Sequence, residues 1–425
     1  MTCTVDPGGD DAAVRWETLV RIAKETAPSA GRSRLAENGR AAIIGAGLGG
    51  LTAALALLRA GWRVRVYEQS PVLGEVGAGI TLSPGSGRAL ATLGLERPLL
   101  DSSLPIPDIA FVHYQTGALL AGSFDKGAPP DHGLETPRHI HRADLHAILL
   151  AAVRGIDAEA VVTGKQLVGV EQPSSGVRAR FADHTTADAD LLIAADGARS
   201  AVRRQLFEDT APDFAGQIAF RCLVPRELAA PFMNAGNAVV SIGPSRIFNR
   251  YVIRGGALVN VIGIAKSDRW KGEGWNTPAS VSDFLLEYEG FHDDVIGLIR
   301  VSPPETLIKW GLFVRPPILT WSVGKVVLLG DAAHPILPFL GLGAALAIED
   351  GIVLSRVLAE ASTAEGAFKR FQDARFHRVE TVRTQSILQG EIIQASDPDA
   401  VAVTGSPSQN VDLFDYDPTR VPLHV

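Results

Sequence analysis

The sequence is poor in cysteine and contains no long apolar run. Its two cysteines, Cys3 and Cys222, are too few for a disulfide framework and show no metal-ligand spacing, so we predict no metal site. This usage suits a reducing compartment, and we expect a cytoplasmic protein. No stretch approaches the ~18 apolar residues that cross a bilayer, and the N-terminus lacks a basic segment followed by an apolar one. Neither membrane insertion nor secretion is indicated.

The sequence also lacks an excess of positive charge. It has 40 lysines and arginines against 47 aspartates and glutamates, for a formal net charge of -7. A nucleic-acid-binding surface needs clustered basic residues, which this sequence does not show. With 46% hydrophobic and 20% charged residues, the 425-residue chain can bury a large core. We expect a globular protein, monomeric or homodimeric, whose partners are small molecules.

Three segments have the pattern of buried strands that end beside glycine. A strand from Arg40 to Ile44 runs into a glycine turn, followed by an apolar helix to Ala60 and a strand over Arg63–Tyr67. This order predicts a βαβ unit. Later strands at Asp190–Ala195 and Lys325–Leu329 each run into an aspartate next to a glycine. We expect these strand ends to meet at a cofactor.

A different pattern occupies the middle of the chain. Alternating segments such as Phe248–Arg254 and Ala257–Ile264 predict an antiparallel sheet, and helical patterns follow at Gly343–Glu360 and Ala364–Gln389. The predicted fold class is therefore α/β, a Rossmann-type domain with an inserted antiparallel β-sheet substrate domain and C-terminal helices. We divide the chain into an N-terminal extension, partly disordered around one helix at Val14–Thr26 (1–39), the first part of the nucleotide-binding domain with small substrate-side insertions (40–213), the sheet domain (214–321), the second part of the nucleotide-binding domain with the C-terminal helices (322–395) and a tail (396–425).

The glycine turn has the spacing of a dinucleotide-binding motif. Gly45, Gly47 and Gly50 form G-x-G-x-x-G between strand and helix, and Glu68 ends the next strand. The glycines permit a tight turn, close approach of a pyrophosphate and close helix packing, while the helix N-terminus offers free N–H donors. Glu68 can accept hydrogen bonds from a ribose, which favours FAD or NAD over NADP. The alternative is a loop without a nucleotide.

A second cofactor segment is indicated near Asp331. This carboxylate follows a buried strand, and a helix begins at Gly343 and Ala344. The carboxylate can hold ribityl or ribose hydroxyls, and the helix dipole can stabilise negative charge on a reduced flavin. The alternative is that Asp331 caps a turn and Gly343 starts a packing helix.

Three ordered motifs resemble those of the FAD-dependent aromatic hydroxylases. They are Gly45–Gly50, Asp196–Ser200 and Gly330–Pro335, and the similarity covers about residues 40–390. Within that family the chain is most similar to the salicylate hydroxylase group, which includes 6-hydroxynicotinate and 3-hydroxybenzoate hydroxylases. The resemblance implies an FAD-binding domain. The cofactor-binding residues it implies, together with the residues of the glycine turn, are Gly45, Ala46, Gly47, Leu48, Gly49, Gly50, Glu68, Gln69, Ala78, Arg142, Asp196, Gly197, Asp331, Gly343 and Ala344.

The resemblance also implies the reaction. Such monooxygenases use NADH or NADPH as a transient cosubstrate and O2 to hydroxylate a phenolic or aromatic-acid substrate through a flavin C4a-hydroperoxide. They have no second Rossmann domain for NAD(P)H, and we find no second G-x-G-x-x-G between a strand and a helix in this sequence. The flavin carries the chemistry, so the protein must orient the ring and exclude water.

Candidates for the substrate pocket lie on the inserted sheet and on the loop that faces the flavin. They are Phe220, Arg221, Tyr251, Pro338 and Phe339. Arg221 can pair with a substrate carboxylate or serve as a structural arginine, and Tyr251 can bind a phenol or simply pack. His334 can act as a base, although a structural histidine in its turn is favoured. Tyr251 and Arg221 are the candidate catalytic residues, and no base is assigned.

Some positions depart from the family pattern. Leu342 and Ala345 stand where relatives commonly carry Gln and Asn near the flavin, Pro84–Gly87 replaces a Pro-Asn-Ala segment, and Phe339 stands where some salicylate hydroxylases place a histidine. The loss of amides predicts a drier pocket. Aromatic hydroxylation is the leading hypothesis. The alternatives are a flavin-dependent monooxygenase, epoxidase or dehydrogenase acting on a non-phenolic intermediate, and an idle FAD-binding protein.

Overall fold

The computed structural model describes residues 39–74, 77–106, 109–122, 131–207, 211–268, 270, 277–399 and 413–423. The helix expected at Val14–Thr26 and the residue Cys3 lie outside these ranges. Cys222 is a buried free thiol. No helix in the described ranges combines the length and the apolar character that a membrane span requires.

Strands account for much of the chain up to residue 328 and form two large and two small sheets. In chain order the strands are β1 (Arg40–Ile44), β2 (Arg63–Tyr67), β3 (Gly79–Leu82), β4 (Ser103–Pro105), β5 (Ala110–His113), β6 (Leu119–Ala121), β7 (Arg138–His141), β8 (Val161–Val162), β9 (Leu167–Glu171), β10 (Val177–Phe181), β11 (Thr186–Ala189), β12 (Leu191–Ala194), β13 (Asp213–Pro225), β14 (Ala238–Gly243), β15 (Arg246–Ile253), β16 (Leu258–Lys266), β17 (Thr277–Pro278), β18 (Ile308–Val314), β19 (Ser322–Val323) and β20 (Val326–Leu328).

Helices cover the sheets and close the chain. They are α1 (Leu48–Arg59), α2 (Pro84–Thr92), α3 (Glu96–Ser102), α4 (Arg142–Ile156), α5 (Ala201–Leu206), α6 (Arg226–Ala229), α7 (Val281–Glu287), α8 (Asp293–Arg300), α9 (Gly343–Glu360) and α10 (Ala364–Ile393). Helices α1 and α9 pack closely. Gly351 of α9 lies against Thr52 and the backbone amide of Ala53 in α1, where a Cβ atom on residue 351 would be too close.

The first large sheet has the order β19-β20-β12-β1-β2-β8. Its strands are parallel except for the β19–β20 pair, and Ile44 of β1 pairs with both Tyr67 and Ala194. Parallel strands in register end at one edge, so the segments after β1, β2, β12 and β20 meet there. In α/β proteins this carboxyl edge is where ligands bind.

The second large sheet has the order β17-β18-β13-β16-β15-β14-β5-β6. It is antiparallel except for the parallel β14–β5 pair. Strands β5 and β6 come from residues before 214, so an early part of the chain completes the inserted sheet. The predicted fold class, a Rossmann-type domain with an inserted sheet and C-terminal helices, is confirmed.

The two faces of the inserted sheet have different roles. On one face Phe220 stacks on Phe284 of α7, with ring centroids 4.6 Å apart and planes at 7°, in a core that helices α7 and α8 cover. The expectation that Phe220 lines the substrate pocket is therefore wrong, because side chains alternate along a strand and its neighbour Arg221 takes the other face.

We expect Phe284→Ala to lower the free energy of unfolding by about 3–5 kcal/mol, since it removes a fully buried ring from this core. Leu286, in the same helix but 59% exposed, gives the matched control, and Leu286→Ala should cost about 0.5 kcal/mol or less. Denaturant unfolding of the two variants checks the difference. Equal losses would contradict the assignment of this face as core.

Candidate functional site

The turn between β1 and α1 is shaped by its glycines. Gly45 has φ +99°, which favours glycine, and a Cβ atom on Gly50 would overlap the carbonyl oxygen of Gly45. Gly47 is different, since its φ of -73° suits any residue and a Cβ atom there would touch nothing within 4 Å. Gly45 and Gly50 therefore shape the turn, while Gly47 leaves open the space in front of helix α1.

Glu68 lies beside this turn at the end of β2. Its two oxygens accept hydrogen bonds from the amides of Ala46 and Ser70, each at 2.9 Å. A carboxylate has further lone pairs, so the fixed group can still accept bonds from ribose hydroxyls. Gln69, next in the chain, is exposed.

His146 was not identified from the sequence. It reaches from α4 and its Nε2 lies 2.8 Å from the carbonyl oxygen of Ala46, so the ring must donate this hydrogen bond. Burial lowers the pKa of His146, which keeps the imidazole neutral at pH 7. The only sequence signal was a histidine on the apolar face of a helix, which is more often core than site.

A cavity of about 1050 Å³ opens beyond the turn, between the parallel sheet and the inserted sheet. Its lining includes several residues of the predicted cofactor set, which come from distant parts of the chain. They are Gly47, Leu48, Gly49, Arg142, Gly197, Asp331, Gly343 and Ala344. Gly45, Ala46, Gly50, Glu68, Gln69, Ala78 and Asp196 do not line it.

Asp331 and the start of α9 meet at this cavity. The Asp331 carboxylate is accessible from the cavity although protein surrounds it, and burial raises its pKa against the opposing charges of His334 and Arg142. Helix α9 starts at Gly343, and the preceding residue, Leu342, provides no side-chain cap. Its first N–H groups are therefore available to a ligand. A hydroxyl-binding carboxylate beside an uncapped helix start fits the ribityl chain and flavin ring of FAD.

Asp196 has a structural role at the same edge. One of its oxygens accepts hydrogen bonds from the amides of Ala201 and Val202 at 2.7 and 3.3 Å, at the start of α5. Gly197 alone of this motif faces the cavity, with φ +75°. Ala78 acts through its backbone, because its carbonyl oxygen accepts a hydrogen bond from the backbone N–H of Arg142, at the start of α4, at 2.7 Å.

His334 is buried and does not line the cavity. Its Nε2 lies 2.7 Å from the Asp350 carboxylate, which also accepts the Gly330 amide at 2.9 Å. This supports the structural interpretation of His334, although the side chain bonds a carboxylate rather than backbone. The pair holds in place the loop that carries Asp331.

The inserted sheet forms the other wall. Four of the candidate substrate residues, Arg221, Tyr251, Pro338 and Phe339, line the cavity. Arg221 lies over the Trp310 ring at 5.0 Å, and its Nε has no hydrogen-bond partner among the described residues. Within the described ranges this arginine has a stacking partner and no carboxylate partner.

Tyr251 stacks on a histidine that the sequence analysis did not single out. The Tyr251 and His139 rings are 3.9 Å apart with planes at 23°. Burial lowers the pKa of His139 to about 3, so it is neutral at pH 7. Burial also raises the pKa of Tyr251, which outweighs the opposing effect of Arg221, so the phenol keeps its proton. Neither ring is charged in this state.

Leu342 and Ala345, two of the positions that depart from the family pattern, lie away from the cavity. Both are buried in the main core, at 0% and 1% exposure, and neither lines the cavity. The expectation that they make the pocket drier is therefore wrong, because the side chains of Leu342, just before α9, and Ala345, in its first turn, both pack into the core. The observation that favoured a non-phenolic substrate is lost with it. Phe339, by contrast, does line the cavity and packs on Gly390 of α10.

Comparisons with known proteins agree with this geometry. A family model described as an FAD binding domain matches residues 39–224 and 316–385. The chain is 35% identical over 349 residues to a 3-amino-4-hydroxybenzoate 2-monooxygenase of Streptomyces platensis, covering 82% of this chain and 86% of that protein. It is 35% identical over 364 residues to a 6-hydroxynicotinate 3-monooxygenase of Pseudomonas fluorescens, covering 82% and 90%. A solved salicylate hydroxylase substrate complex shares the fold, with a TM-score of 0.74 at 23% identity over 90% of this chain and 96% of that one.

The glycine turn yields a matched pair of variants. Gly47→Ala should keep the thermal stability of the FAD-free protein, because the added methyl group meets no protein atom, but should weaken FAD binding about tenfold or more by filling the cofactor's space. Gly50→Ala should instead lower the melting temperature of the FAD-free protein. Thermal unfolding and FAD titration of both variants distinguish the two roles, and unchanged FAD affinity in Gly47→Ala would contradict the assignment.

Asp331→Ala should lose bound FAD, because the carboxylate that faces the cavity can no longer accept hydrogen bonds from the cofactor. The flavin absorbance of the purified protein measures occupancy, and circular dichroism checks that the fold persists. Full occupancy in a folded Asp331→Ala variant would show that the carboxylate does not hold the cofactor.

Proposed function

This chain belongs to the family of FAD-dependent aromatic monooxygenases, and from that premise we propose that it hydroxylates a small aromatic acid whose carboxylate binds Arg221. The membership predicted from the three motifs is confirmed, as is FAD as the cofactor. NAD(P)H is the cosubstrate typical of this family. The carboxylate, its partner and the residues around the ring are what the proposal adds.

The observation that supports the proposal is the environment of the Arg221 guanidinium. Burial lowers the pKa of its guanidinium, which lines the cavity and has no carboxylate partner in the part of the chain that the structure describes. A buried charge is costly unless it is paired and hydrogen-bonded. A planar carboxylate on the substrate satisfies both needs, because it matches the guanidinium fork.

Tyr251 and His139 are the neighbours of this anion site. The Tyr251 hydroxyl keeps its proton at pH 7, so it can donate a hydrogen bond to an oxygen of the substrate. The stacked His139 ring fixes the plane of the tyrosine and, being neutral, adds no second positive charge. In this arrangement the two residues orient the ring and neither is a base.

The remaining wall of the cavity excludes water. Ala219, Ile262, Ile264 and Ile308 line it beside Arg221, and Phe339 approaches from the loop before α9. FAD, when bound and reduced, supplies the oxygen-transfer chemistry. The protein's contribution is a dry pocket with a few polar groups that set the orientation of the ring.

The proposal extends to the setting of the enzyme. We place it in the cytoplasm, where its buried free thiol at Cys222 suits a reducing compartment. NADH or NADPH would bind transiently, as the sequence carries no second Rossmann motif.

The direct test is to follow NADH and NADPH oxidation in air by the FAD-loaded protein with a panel of benzoates, pyridine carboxylates and phenols. We expect one aromatic acid to accelerate oxidation and to yield a hydroxylated product. Stimulation by phenols alone, with no response to any acid, would overturn the carboxylate assignment while leaving the family activity intact.

Arg221→Gln should weaken the binding of aromatic acids about tenfold or more, because it removes a charge-assisted bidentate partner. Phenols without a carboxylate should be affected much less, and the flavin spectrum should not change. Arg226→Gln is a control in the short helix that follows β13, since the Arg226 guanidinium donates a hydrogen bond to Asn237 at 3.0 Å and does not line the cavity. Equal losses for acids and phenols would argue against ion pairing.

A further inference from the structure

Asn249 lies on the same wall of the cavity as Arg221, two strands away across the inserted sheet. It pairs with Ile262 of the next strand, and Ile262 pairs in turn with Arg221. Directly paired residues of antiparallel strands point to the same face of a sheet. The side chains of Arg221, Ile262 and Asn249 therefore form one row across the wall, and all three line the cavity.

The Asn249 amide is unused by the protein. The residue is half-buried, and its side-chain amide makes no hydrogen bond with any residue that the structure describes. Its neighbours on this face are Val240 and Ile262, which pair with it on the adjacent strands, and Ile247 and Tyr251, which lie two residues away along β15. When a ligand fills the cavity and displaces water, this amide is costly to bury unless the ligand bonds it. A polar group on the ligand is the partner that the position offers.

The spacing of the row suits an aromatic ring. Two strand-to-strand steps separate Arg221 from Asn249, so their Cα atoms are roughly 10 Å apart. Both side chains reach into the cavity, and the flat aliphatic surface of Ile262 lies between them. A ring placed over Ile262 has one edge toward Arg221 and the opposite edge toward Asn249.

We propose that Asn249 is a specificity-determining residue, which hydrogen-bonds a second polar substituent on the ring, a hydroxyl or an amino group, at the edge opposite the acid. This rests on the proposed function for the Arg221 end only. An amide both donates and accepts, so it can bond either substituent. A ring without that substituent leaves the amide unpaired, and the site discriminates against it.

The test uses pairs of ligands that differ by one polar group. Dissociation constants are measured from changes in the spectrum of bound FAD, for benzoate against 3-hydroxybenzoate, 4-hydroxybenzoate and 3-aminobenzoate, and for phenol against resorcinol and hydroquinone. The proteins are the native enzyme, Asn249→Leu, which keeps the size of the side chain, and Ile247→Val, which trims an apolar neighbour two residues away. FAD affinity is measured for each.

We expect the native enzyme to prefer at least one substituted ring, and Asn249→Leu to reduce that preference about fivefold, the effect of one lost hydrogen bond. Benzoate affinity and FAD affinity should hold in this variant. Ile247→Val should change the affinities for both members of a pair by similar factors and so keep the preference.

The inference would be overturned by the absence of a preference in the native enzyme, by a preference that survives Asn249→Leu, or by a loss of FAD affinity in Asn249→Leu, which would place the amide on the cofactor. If benzoates fail to bind but the phenol pairs show a preference that Asn249→Leu removes, the role of Asn249 is supported and the assignment of a carboxylate to Arg221 is wrong. If no ring compound binds, the assignments of Asn249 and of Arg221 are both wrong.

Discussion

The buried carboxylate of Asp350 joins the parts of the chain that the cavity requires. It lies in α9 at 0% exposure, and it accepts hydrogen bonds from the Gly330 amide at 2.9 Å, from His334 at 2.7 Å and from Arg375 of α10 at 2.7 Å. Burial alone would raise its pKa, but His334 and Arg375 outweigh that effect and the pKa lies below its usual value. Because Gly330 precedes Asp331, the same carboxylate sets where the cofactor-facing loop lies relative to the start of α9.

The carboxyl edge of the parallel sheet could be predicted because its signals are local. Each of β1, β12 and β20 is a short apolar run that ends beside glycine, and the predicted strand and helix limits agree with the structure to within a few residues, as for Arg63–Tyr67 and Gly343–Glu360. Parallel pairing then brings the strand ends together without further information. The chemistry at this edge follows from residue type and order, which a single sequence shows.

The substrate wall was harder to predict because it depends on which way each side chain points. One step along β13 separates Phe220, in the core, from Arg221, in the cavity, and the sequence around them is apolar on both sides. His139 and Asn249 come from strands far apart in the chain, so their place on the same wall depends on tertiary pairing. Ala345 shows the same limit on a helix, since the face of α9 on which it lies, rather than its position in the motif, decides that it is buried.

The two walls of the cavity are built from different parts of the chain, one mainly from backbone and the other from side chains. This difference explains how a common cofactor site can serve different ring substrates. In the proposed site the cofactor wall is built largely from backbone, with glycines, amides and the start of a helix beside the Asp331 carboxylate. We expect this wall to tolerate little change, because an added Cβ atom would fill the cofactor's space. The substrate wall is built from side chains on regular strands. There Arg221, Asn249 and Tyr251 can be exchanged without altering the ladder of hydrogen bonds beneath them. Under the proposed function, selection of the ring therefore rests on a few polar groups set in a largely aliphatic surface, where each unpaired group imposes its own cost.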